Sequence, residues 1–243
     1  MNILILAAGQ TSEKTERDFP ICLTEIDSIP LIQHVFKSCT ALNPNNLAVI
    51  FRKEDIDAYH LKNIVFLLHQ SVKIIGVHEE AQGAACSALL ASEVMDNEHE
   101  LLIVNGNEFL DMSFLEIVEN FRSRKLDAGT VIFHSIHPRY SYVRTDEDGF
   151  VQEAAEKKPI SLNATAGFYW YSKGSNFVRA AKSLIRKDAR VGGNFYICPV
   201  FNELILEHKK IGVYSVESSL YHPLKNERQI NQFETSIGRK VDP

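Results

Sequence analysis

Histidine and cysteine, the residues that most often bind metals or act as nucleophiles, do not form a complete metal-binding pattern in this chain. His134 and His137 have a spacing that could suit a metal ion, but no third ligand is identifiable in the sequence. They also lie where a predicted strand ends in a turn containing Pro138, and a histidine there needs no ligand role. The sequence therefore favours an ordinary turn over a two-histidine metal site.

The four cysteines include no C-x-x-C pair, so a zinc knuckle is not supported. Cys39 and Cys86 fall on the apolar faces of predicted helices, which indicates small buried hydrophobic residues. Cys22 lies in a segment that could contact a ligand, but no neighbouring base is indicated that would activate its thiol. We expect structural roles for these cysteines.

Four consecutive aromatic residues, Phe168 to Tyr171, could form a surface on which a nucleobase stacks. Alternation along a strand would instead divide the four rings between the core and the surface. We favour core packing for this segment over a stacking platform.

The composition is that of an ordinary globular protein. The chain has 243 residues, of which 45% are hydrophobic and 23% are charged, enough for one substantial core. Its net charge of −5 argues against a dedicated nucleic-acid-binding protein, which would show a basic face. No apolar stretch approaches the roughly 18 residues that span a bilayer, and the first residues lack the basic start of a signal peptide. We expect a cytoplasmic protein with no membrane partner.

The elements that must position any site alternate between strand and helix in the first half of the chain. Apolar runs predict strands at 3–8, 47–51, 72–77 and 101–105. Helical spacing predicts a helix opened by Pro30, a helix over 84–95 and a helix capped by Ser113. This alternation is typical of βαβ units on a parallel sheet.

The second half is richer in strands. They are predicted at 130–133, 142–144, 150–152, 164–171 and 211–216, with a hairpin turn at 146–149. Two helices are predicted at 176–186 and 200–207. No internal repeat or linker interrupts the pattern, which indicates a mixed sheet.

Seven short segments, taken in order, narrow the prediction from a fold class to a protein family. They are Leu6-Ala7-Ala8-Gly9, Pro20-Ile21-Cys22-Leu23, Ile29-Pro30-Leu31-Ile32 with His34-Val35, Gly83-Ala84-Ala85 with Ala88-Leu89, Val104-Asn105-Gly106-Asn107, Glu156-Lys157 and Ala166-Gly167-Phe168-Tyr169. The first three resemble the opening L-A-A-G-x-G-x-R, P-K-x-L and G-x-P-L-I-x-H/Y of the nucleotidyltransferases that make nucleotide sugars. The resemblance spans nearly the whole chain and looks closest to short bacterial members linked to capsule and surface-polysaccharide synthesis.

The resemblance implies a three-layer α/β/α domain with a mixed sheet, the GT-A-like fold of nucleotide-diphospho-sugar transferases. We expect one domain over 1–243, with a nucleotide-type half (1–127), an acceptor-type half (128–235) and a tail (236–243). In this family an acceptor phosphate attacks the α-phosphorus of a nucleoside triphosphate, and pyrophosphate leaves. The implied partners are therefore a nucleotide and a small phosphorylated acceptor, with Mg²⁺ as cofactor; a homodimer is an open alternative.

Site residues also follow from the resemblance. Residues lining the base and ribose would be Leu6, Ala7, Ala8, Gly9 and Gln10, with Gln82 and Gly83 on the base side. Glu156 would accept hydrogen bonds from acceptor hydroxyls, and Lys157 would pair with its phosphate. Gly167 and Asn194 complete the expected acceptor site, although Asn194 stands where an acid is expected and could equally belong to a simple turn.

The charged positions of the family pattern are changed in this sequence. The second loop glycine is Thr11, the loop arginine falls on Glu13, the P-K-x-L lysine is Ile21 and the G-D carboxylate is Asn107. No acid occupies the expected metal position in residues 221–224. Each change weakens the expected binding of a magnesium-bound polyphosphate.

Nearby residues could replace the missing groups. Lys14 or Arg17 could supply the missing cations as catalytic substitutes, although both could equally be solvated loop charges. Glu108 or Asp111 could hold a metal beside Asn107, and Asp111 could equally be a polar residue ahead of the Ser113 cap.

Two hypotheses of function remain. The first is a nucleotidyltransferase that joins a nucleoside triphosphate to a sugar phosphate or similar small phosphate. The second is a non-catalytic homologue or regulatory subunit that keeps the acceptor cleft. A metal-dependent glycosyltransferase is disfavoured, because Asn105-Gly106-Asn107 supplies no acidic pair at its strand end.

Overall fold

The first apolar run of the chain forms an interior strand of the main sheet. Strand β1 (Asn2–Leu6) has every side chain buried, and it pairs in parallel with a strand on each side. Ile3 and Ile5 pack into one core layer, whereas Leu4 and Leu6 pack into the other. The unbroken apolar sequence therefore reflects a strand that is covered on both faces.

The computed structural model describes residues 1–9, 20–78, 81–224, 229 and 233. The other strands are β2 (Glu25–Ile26), β3 (Ile29–Pro30), β4 (Asn46–Arg52), β5 (Lys73–Val77), β6 (Leu101–Asn105), β7 (Glu108–Leu110), β8 (Ala128–His134), β9 (Ser141–Thr145), β10 (Val151–Glu156), β11 (Asn163–Tyr171), β12 (Ile211–Ser215) and β13 (Tyr221–Pro223). The helices are α1 (Leu31–Thr40), α2 (Lys53–Ala58), α3 (Leu61–Leu68), α4 (Ala84–Leu89), α5 (Ser92–Met95), α6 (Phe114–Ser123), α7 (Gly174–Arg186) and α8 (Val200–Leu206). The interpretations of Gln10, Lys14 and Arg17 concern residues outside the described ranges, as does the tail 236–243.

The main sheet is mixed, as the sequence predicts. Its parallel part has the order β5-β4-β1-β6. Strand β11 then runs antiparallel between β6 and β8, and β12 pairs in parallel with β8. The β9–β10 hairpin joins the beginning of β11 through Ala164 and Tyr142. The two halves therefore share one sheet, while the division into residues 1–127 and 128–235 stays a prediction.

Strand β11 has one interrupted ladder and a change of neighbour on its other edge. Its pairing with β8 shifts register between Thr165 and Tyr169, and Gly167 lies within the shift with a φ of +61°. A bulge of this kind bends a strand. On the other edge, the beginning of β11 pairs with β9, whereas its end, from Phe168 to Tyr171, pairs with β6.

Helices cover both faces of the sheet and make three layers. One core contains side chains of α1, α3 and α6, and the other contains side chains of α4, α7 and α8. The rings of Phe168 to Tyr171 are all buried, so core packing is confirmed for this segment. The expected division between core and surface is wrong, because β11 lies inside the sheet with both faces covered.

The capping and helical-spacing patterns of the sequence predict some helix boundaries correctly and others not. The Ser113 cap is confirmed, because its side chain accepts a hydrogen bond from the Glu116 amide at 3.5 Å. The helix predicted over 84–95 is two helices, α4 and α5, which are separated by a turn at Leu90 and Ala91. Within the described ranges, every helix is too short or too polar to span a bilayer.

Gly129 is required by the packing between α6 and the sheet. It lies opposite Trp170 in the β8–β11 ladder, and a Cβ at this position would meet the Phe121 ring at 2.8–2.9 Å. The Phe121 and Trp170 rings pack with centroids 5.7 Å apart, so the Phe121 ring has little freedom to withdraw.

We expect Gly129→Ala to lower the free energy of unfolding by about 1–3 kcal/mol, the usual cost of overpacking a core. Urea denaturation measures the change. Phe121→Leu in the same chain should recover part of the loss, because it removes the ring that the new methyl group meets. Strictly additive losses in the double variant would contradict this packing.

Candidate functional site

A cavity of about 360 Å³ opens where β1 and β6 end and where the β9–β10 hairpin meets β11. This volume is in the range of small-molecule sites. Its walls combine amides, hydroxyl groups, two carboxylates and two cations. The lining residues are Leu6, Gly9, Ala84, Asn105, Asn107, Glu108, Arg139, Tyr140, Ser141, Glu156, Lys157, Thr165, Gly167, Tyr169, Tyr196 and Ile197.

The predicted nucleotide side is built from the chain that leaves β1. Leu6 and Gly9 line the cavity, whereas Ala7 and Ala8 pack against the two core layers. The end of β6 comes close, because the Gly106 amide donates to the Leu6 carbonyl at 2.7 Å. A Cβ at Gly9 would lie 3.5 Å from the Asn107 Nδ2 atom. The predicted loop and the predicted metal position are therefore neighbours.

Gly83 has a packing role that the sequence did not reveal. Its φ is +98°, and a Cβ here would lie 2.4 Å from the Phe195 carbonyl oxygen. The Phe195 amide donates to the Gln82 carbonyl at 2.9 Å, and the Ala85 amide donates to the Phe195 carbonyl at 3.0 Å. Gln82 and Gly83 thus hold the segment at Phe195, while Ala84 is the residue of this stretch that reaches the cavity.

The predicted acceptor side has a buried polar floor. Glu156, at the end of β10, is 9% exposed and accepts a hydrogen bond from the Ser141 hydroxyl. Thr165 Oγ1 and the Tyr169 hydroxyl share a hydrogen bond of 2.9 Å. Burial raises the pKa of Tyr169 well above its usual value, so this phenol stays protonated. The floor offers one carboxylate and three hydroxyl groups, a set suited to the hydroxyls of a sugar.

Gly167 fits beneath this floor because it has no side chain. A Cβ at Gly167 would lie 1.9 Å from Glu108 Oε2 and 2.5 Å from Asn105 Nδ2. Glu108 is itself buried, and its Oε2 atom is shielded from solvent. Gly167 lines the cavity, and its lack of a side chain lets the Glu108 carboxylate and the Asn105 amide approach β11; its part in an acceptor site stays a prediction.

Two exposed cations line the cavity at the open end of the β9–β10 hairpin. Arg139 precedes β9, and Lys157 follows β10. Lys157 Nζ donates to the Tyr196 hydroxyl at 2.8 Å and lies 5.0 Å from the centre of that ring. The Arg139 guanidinium lies 5.6 Å from the centre of the Tyr140 ring. The Lys157 amide donates to the Tyr140 carbonyl at 3.0 Å, which fixes the two segments together.

The described residues do not fit a Mg²⁺ site held by the protein. They contain no group of three or more His, Cys, Asp or Glu that could hold a metal. Asn107 lines the cavity as a neutral amide, and one Glu108 oxygen is buried against Gly167. Asp111 is exposed outside the cavity lining, and its amide donates to the Leu220 carbonyl. We therefore assign no step to a protein-bound metal.

Ile21, at the expected lysine position, packs into one of the two core layers. It is 9% exposed, and the cavity lining does not include it. Its neighbour Cys22 is also buried, which raises the pKa of that thiol to about 12. A thiolate nucleophile is thereby disfavoured at Cys22, in agreement with the structural role expected of it.

Several lining residues gave no signal in the sequence. Arg139, Tyr140 and Ser141 precede Glu156 by 15 residues or more, and only the hairpin register Glu156↔Ser141 brings them to the cavity. Tyr196 lines the cavity in place of the predicted Asn194, which is partly buried and donates a hydrogen bond to the Gly192 carbonyl within its own turn. For Arg139 the sequence offered only its positive charge, which would suit an anionic ligand.

An interior parallel β1 with a cleft at its carboxyl end, joined to antiparallel strands from the second half of the chain, defines a GT-A-like α/β fold. A nucleoside-diphosphate-sugar pyrophosphorylase from Vibrio cholerae shares this fold, with a TM-score of 0.81, 20% identity, and coverage of 96% of this chain and 99% of that one. The bifunctional protein GlmU of Streptococcus pyogenes serotype M3 is 22% identical over 222 residues, 87% of this chain. GlmU of Streptococcus gordonii is 23% identical over 225 residues.

A sequence model of the Nucleotidyl transferase family matches residues 11–195. The chain belongs to this family. It spans 46% of the length of the two GlmU relatives, so it corresponds to about half of each.

The position of Asn107 generates a prediction about metal binding. Asn107→Asp places a carboxylate in the cavity beside Gly9, and carboxylates are the protein ligands that Mg²⁺ and Mn²⁺ prefer. We expect the affinity for Mn²⁺–nucleoside triphosphate to rise about tenfold, or about 1.4 kcal/mol. Isothermal titration calorimetry measures it.

Asp111→Asn is the matched control, because Asp111 lies outside the cavity lining and should leave the affinity unchanged. An Asn107→Asp variant with unaltered metal–triphosphate binding would show that the triphosphate does not reach this wall.

Proposed function

We propose that this protein is a sugar-phosphate nucleotidyltransferase for surface-polysaccharide precursors. A nucleoside triphosphate would lie along Leu6 and Gly9, and a sugar phosphate would bind between Glu156 and Lys157. The observation that carries the proposal is that one cavity contains both sets of residues, with a buried hydroxyl-binding floor and two cations at its mouth.

The acceptor assignment rests on complementary chemistry. Sugar hydroxyls need donors and acceptors in a sheltered place, and Glu156, Ser141 and Thr165 provide them at the floor. A phosphomonoester needs cations near solvent, and Lys157 and Arg139 provide them. A ligand with a polyhydroxylated ring at one end and a phosphate at the other matches a site with hydroxyl-binding groups at its floor and cations at its mouth.

In the proposed reaction, an acceptor phosphate oxygen forms a bond to the α-phosphorus of the triphosphate. The bond between the α-phosphorus and its bridging oxygen breaks, and pyrophosphate leaves with that oxygen. Because no protein group bonds covalently to the substrates, the contribution of the cavity is alignment and charge stabilisation. Lys157 and Arg139 would reduce the repulsion between the two anionic substrates.

A second candidate is a non-catalytic protein that binds the sugar phosphate alone. The specific observation in its favour is the neutral nucleotide side, with Asn107 in the cavity and Ile21 in the core. The two candidates agree on the acceptor and differ on the triphosphate.

Pyrophosphate release from a panel of nucleoside triphosphates and sugar 1-phosphates, with Mg²⁺ or Mn²⁺, separates the two candidates. We expect release with at least one pair. If no pair releases pyrophosphate and no triphosphate raises the melting temperature, transfer is excluded. Binding of a sugar phosphate in that case would establish the second candidate.

Lys157 provides the test of the acceptor position. Lys157→Ala should weaken binding of a sugar 1-phosphate about ten- to a hundredfold, because a charge-assisted contact contributes about 1.5–3 kcal/mol. Calorimetry with glucose 1-phosphate measures this.

Lys158→Ala is the matched control. Lys158 has the same charge, is equally exposed and lies outside the cavity lining. Equal losses in the two variants would indicate general electrostatic attraction and would contradict the assigned site.

A further inference from the structure

His137 holds the Arg139 side chain through its ring. The Nδ1 atom of His137 accepts hydrogen bonds from the Arg139 backbone amide at 3.3 Å and from the Arg139 Nε atom at 3.2 Å. Because both partners are donors, Nδ1 must carry a lone pair and the ring proton must lie on Nε2. The histidine that sequence spacing offered as a metal ligand therefore uses this nitrogen to bind an arginine.

His137 is itself fixed by the surrounding fold. Its carbonyl oxygen accepts a hydrogen bond of 2.7 Å from the hydroxyl of Tyr142, a fully buried residue of β9. Its amide donates to the Ser135 side chain at 3.2 Å. Its ring also makes an edge contact with Tyr140, the residue over which the Arg139 guanidinium lies. The exposed Arg139 side chain is consequently held on two sides, by an imidazole and by a phenol ring.

Arg139 is held by an imidazole and a phenol ring, which distinguishes it from many arginines of this chain. Five others donate to a carboxylate; these are Arg52, Arg122, Arg144, Arg179 and Arg190. Among the described residues, Arg139 forms no ion pair within 4.0 Å. A carboxylate partner would offset the charge of the guanidinium, whereas imidazole and phenol orient it and leave its charge for a ligand.

We propose that His137 is a positioning residue that aims Arg139 at the phosphate of the acceptor, so that Arg139 and Lys157 bind this phosphate together. The inference rests on the proposed acceptor site. Both cations line the cavity mouth, and the Lys157 amide is bonded to the Tyr140 carbonyl beside Arg139. Holding a long side chain in place before binding reduces the conformational entropy that binding removes.

A double-mutant cycle with an isosteric rescue tests the role of His137. The variants are His137→Ala, His137→Asn, Arg139→Ala and the His137→Ala/Arg139→Ala double variant, titrated with glucose 1-phosphate and with inorganic phosphate at pH 8. The amide oxygen of asparagine can accept hydrogen bonds near the place of Nδ1. His134→Ala is the matched control, because His134 is an exposed histidine of the same segment outside this cavity.

We expect His137→Ala to weaken binding of both probes about fivefold and His137→Asn to stay within about twofold of the natural protein. In the Arg139→Ala background, His137→Ala should have no further effect, because the group that it positions is gone. His134→Ala should bind like the natural protein. Thermal melting of each variant establishes that it is folded.

Three results would overturn the inference. A fivefold loss from His137→Ala that persists without Arg139 would show a role independent of the arginine. A loss in His137→Asn equal to that in His137→Ala would exclude hydrogen-bond acceptance as the cause. If the natural protein binds neither probe, the acceptor site fails as well; if it binds both and only the cycle fails, the proposed function stands without this role for His137.

Discussion

The bulge in β11 at Gly167 is the constraint on which the cavity depends. The first residues of β11 extend past the end of β6, and the β9–β10 hairpin pairs with them through Ala164 and Tyr142. The register shift between Thr165 and Tyr169 bends the strand, so both side chains line the cavity and bond to each other. With a φ of +61° and a carboxylate at contact distance, this position suits glycine alone.

Much of the fold follows from the sequence, because it depends on long apolar runs and helical spacing. The run beginning at Ile3 predicts a strand buried on both faces, and that strand lies in the interior of the sheet, paired on both edges. The β7–β13 ribbon escapes prediction, because strands of three residues have no measurable periodicity and their partners are more than 100 residues apart. The break between α4 and α5, at Leu90 and Ala91, also could not be predicted, because no glycine or proline marks it.

The residues that line the cavity also divide into those that the sequence predicts and those that it does not. Leu6, Gly9, Glu156 and Lys157 could be located because they belong to short motifs. Arg139 and Tyr196 could not, because each reaches the cavity only through the register of a hairpin or the path of a turn. A short motif identifies residues that lie together in the sequence. Residues that reach the cavity from distant parts of the chain can be identified only from the three-dimensional structure.

The distribution of charge explains why the acceptor side supports the proposal more strongly than the nucleotide side. At the proposed acceptor side a carboxylate is buried and bonded to a hydroxyl, and two cations contact aromatic rings. Such groups cost free energy to bury or to order, so a fold that keeps them gains something from a ligand. At the nucleotide side, Asn107 and the core residue Ile21 carry no such cost, since neither is charged. The proposed binding of a sugar phosphate is therefore supported by polar groups that line the cavity, whereas Asn107 and Ile21 offer a triphosphate no charge.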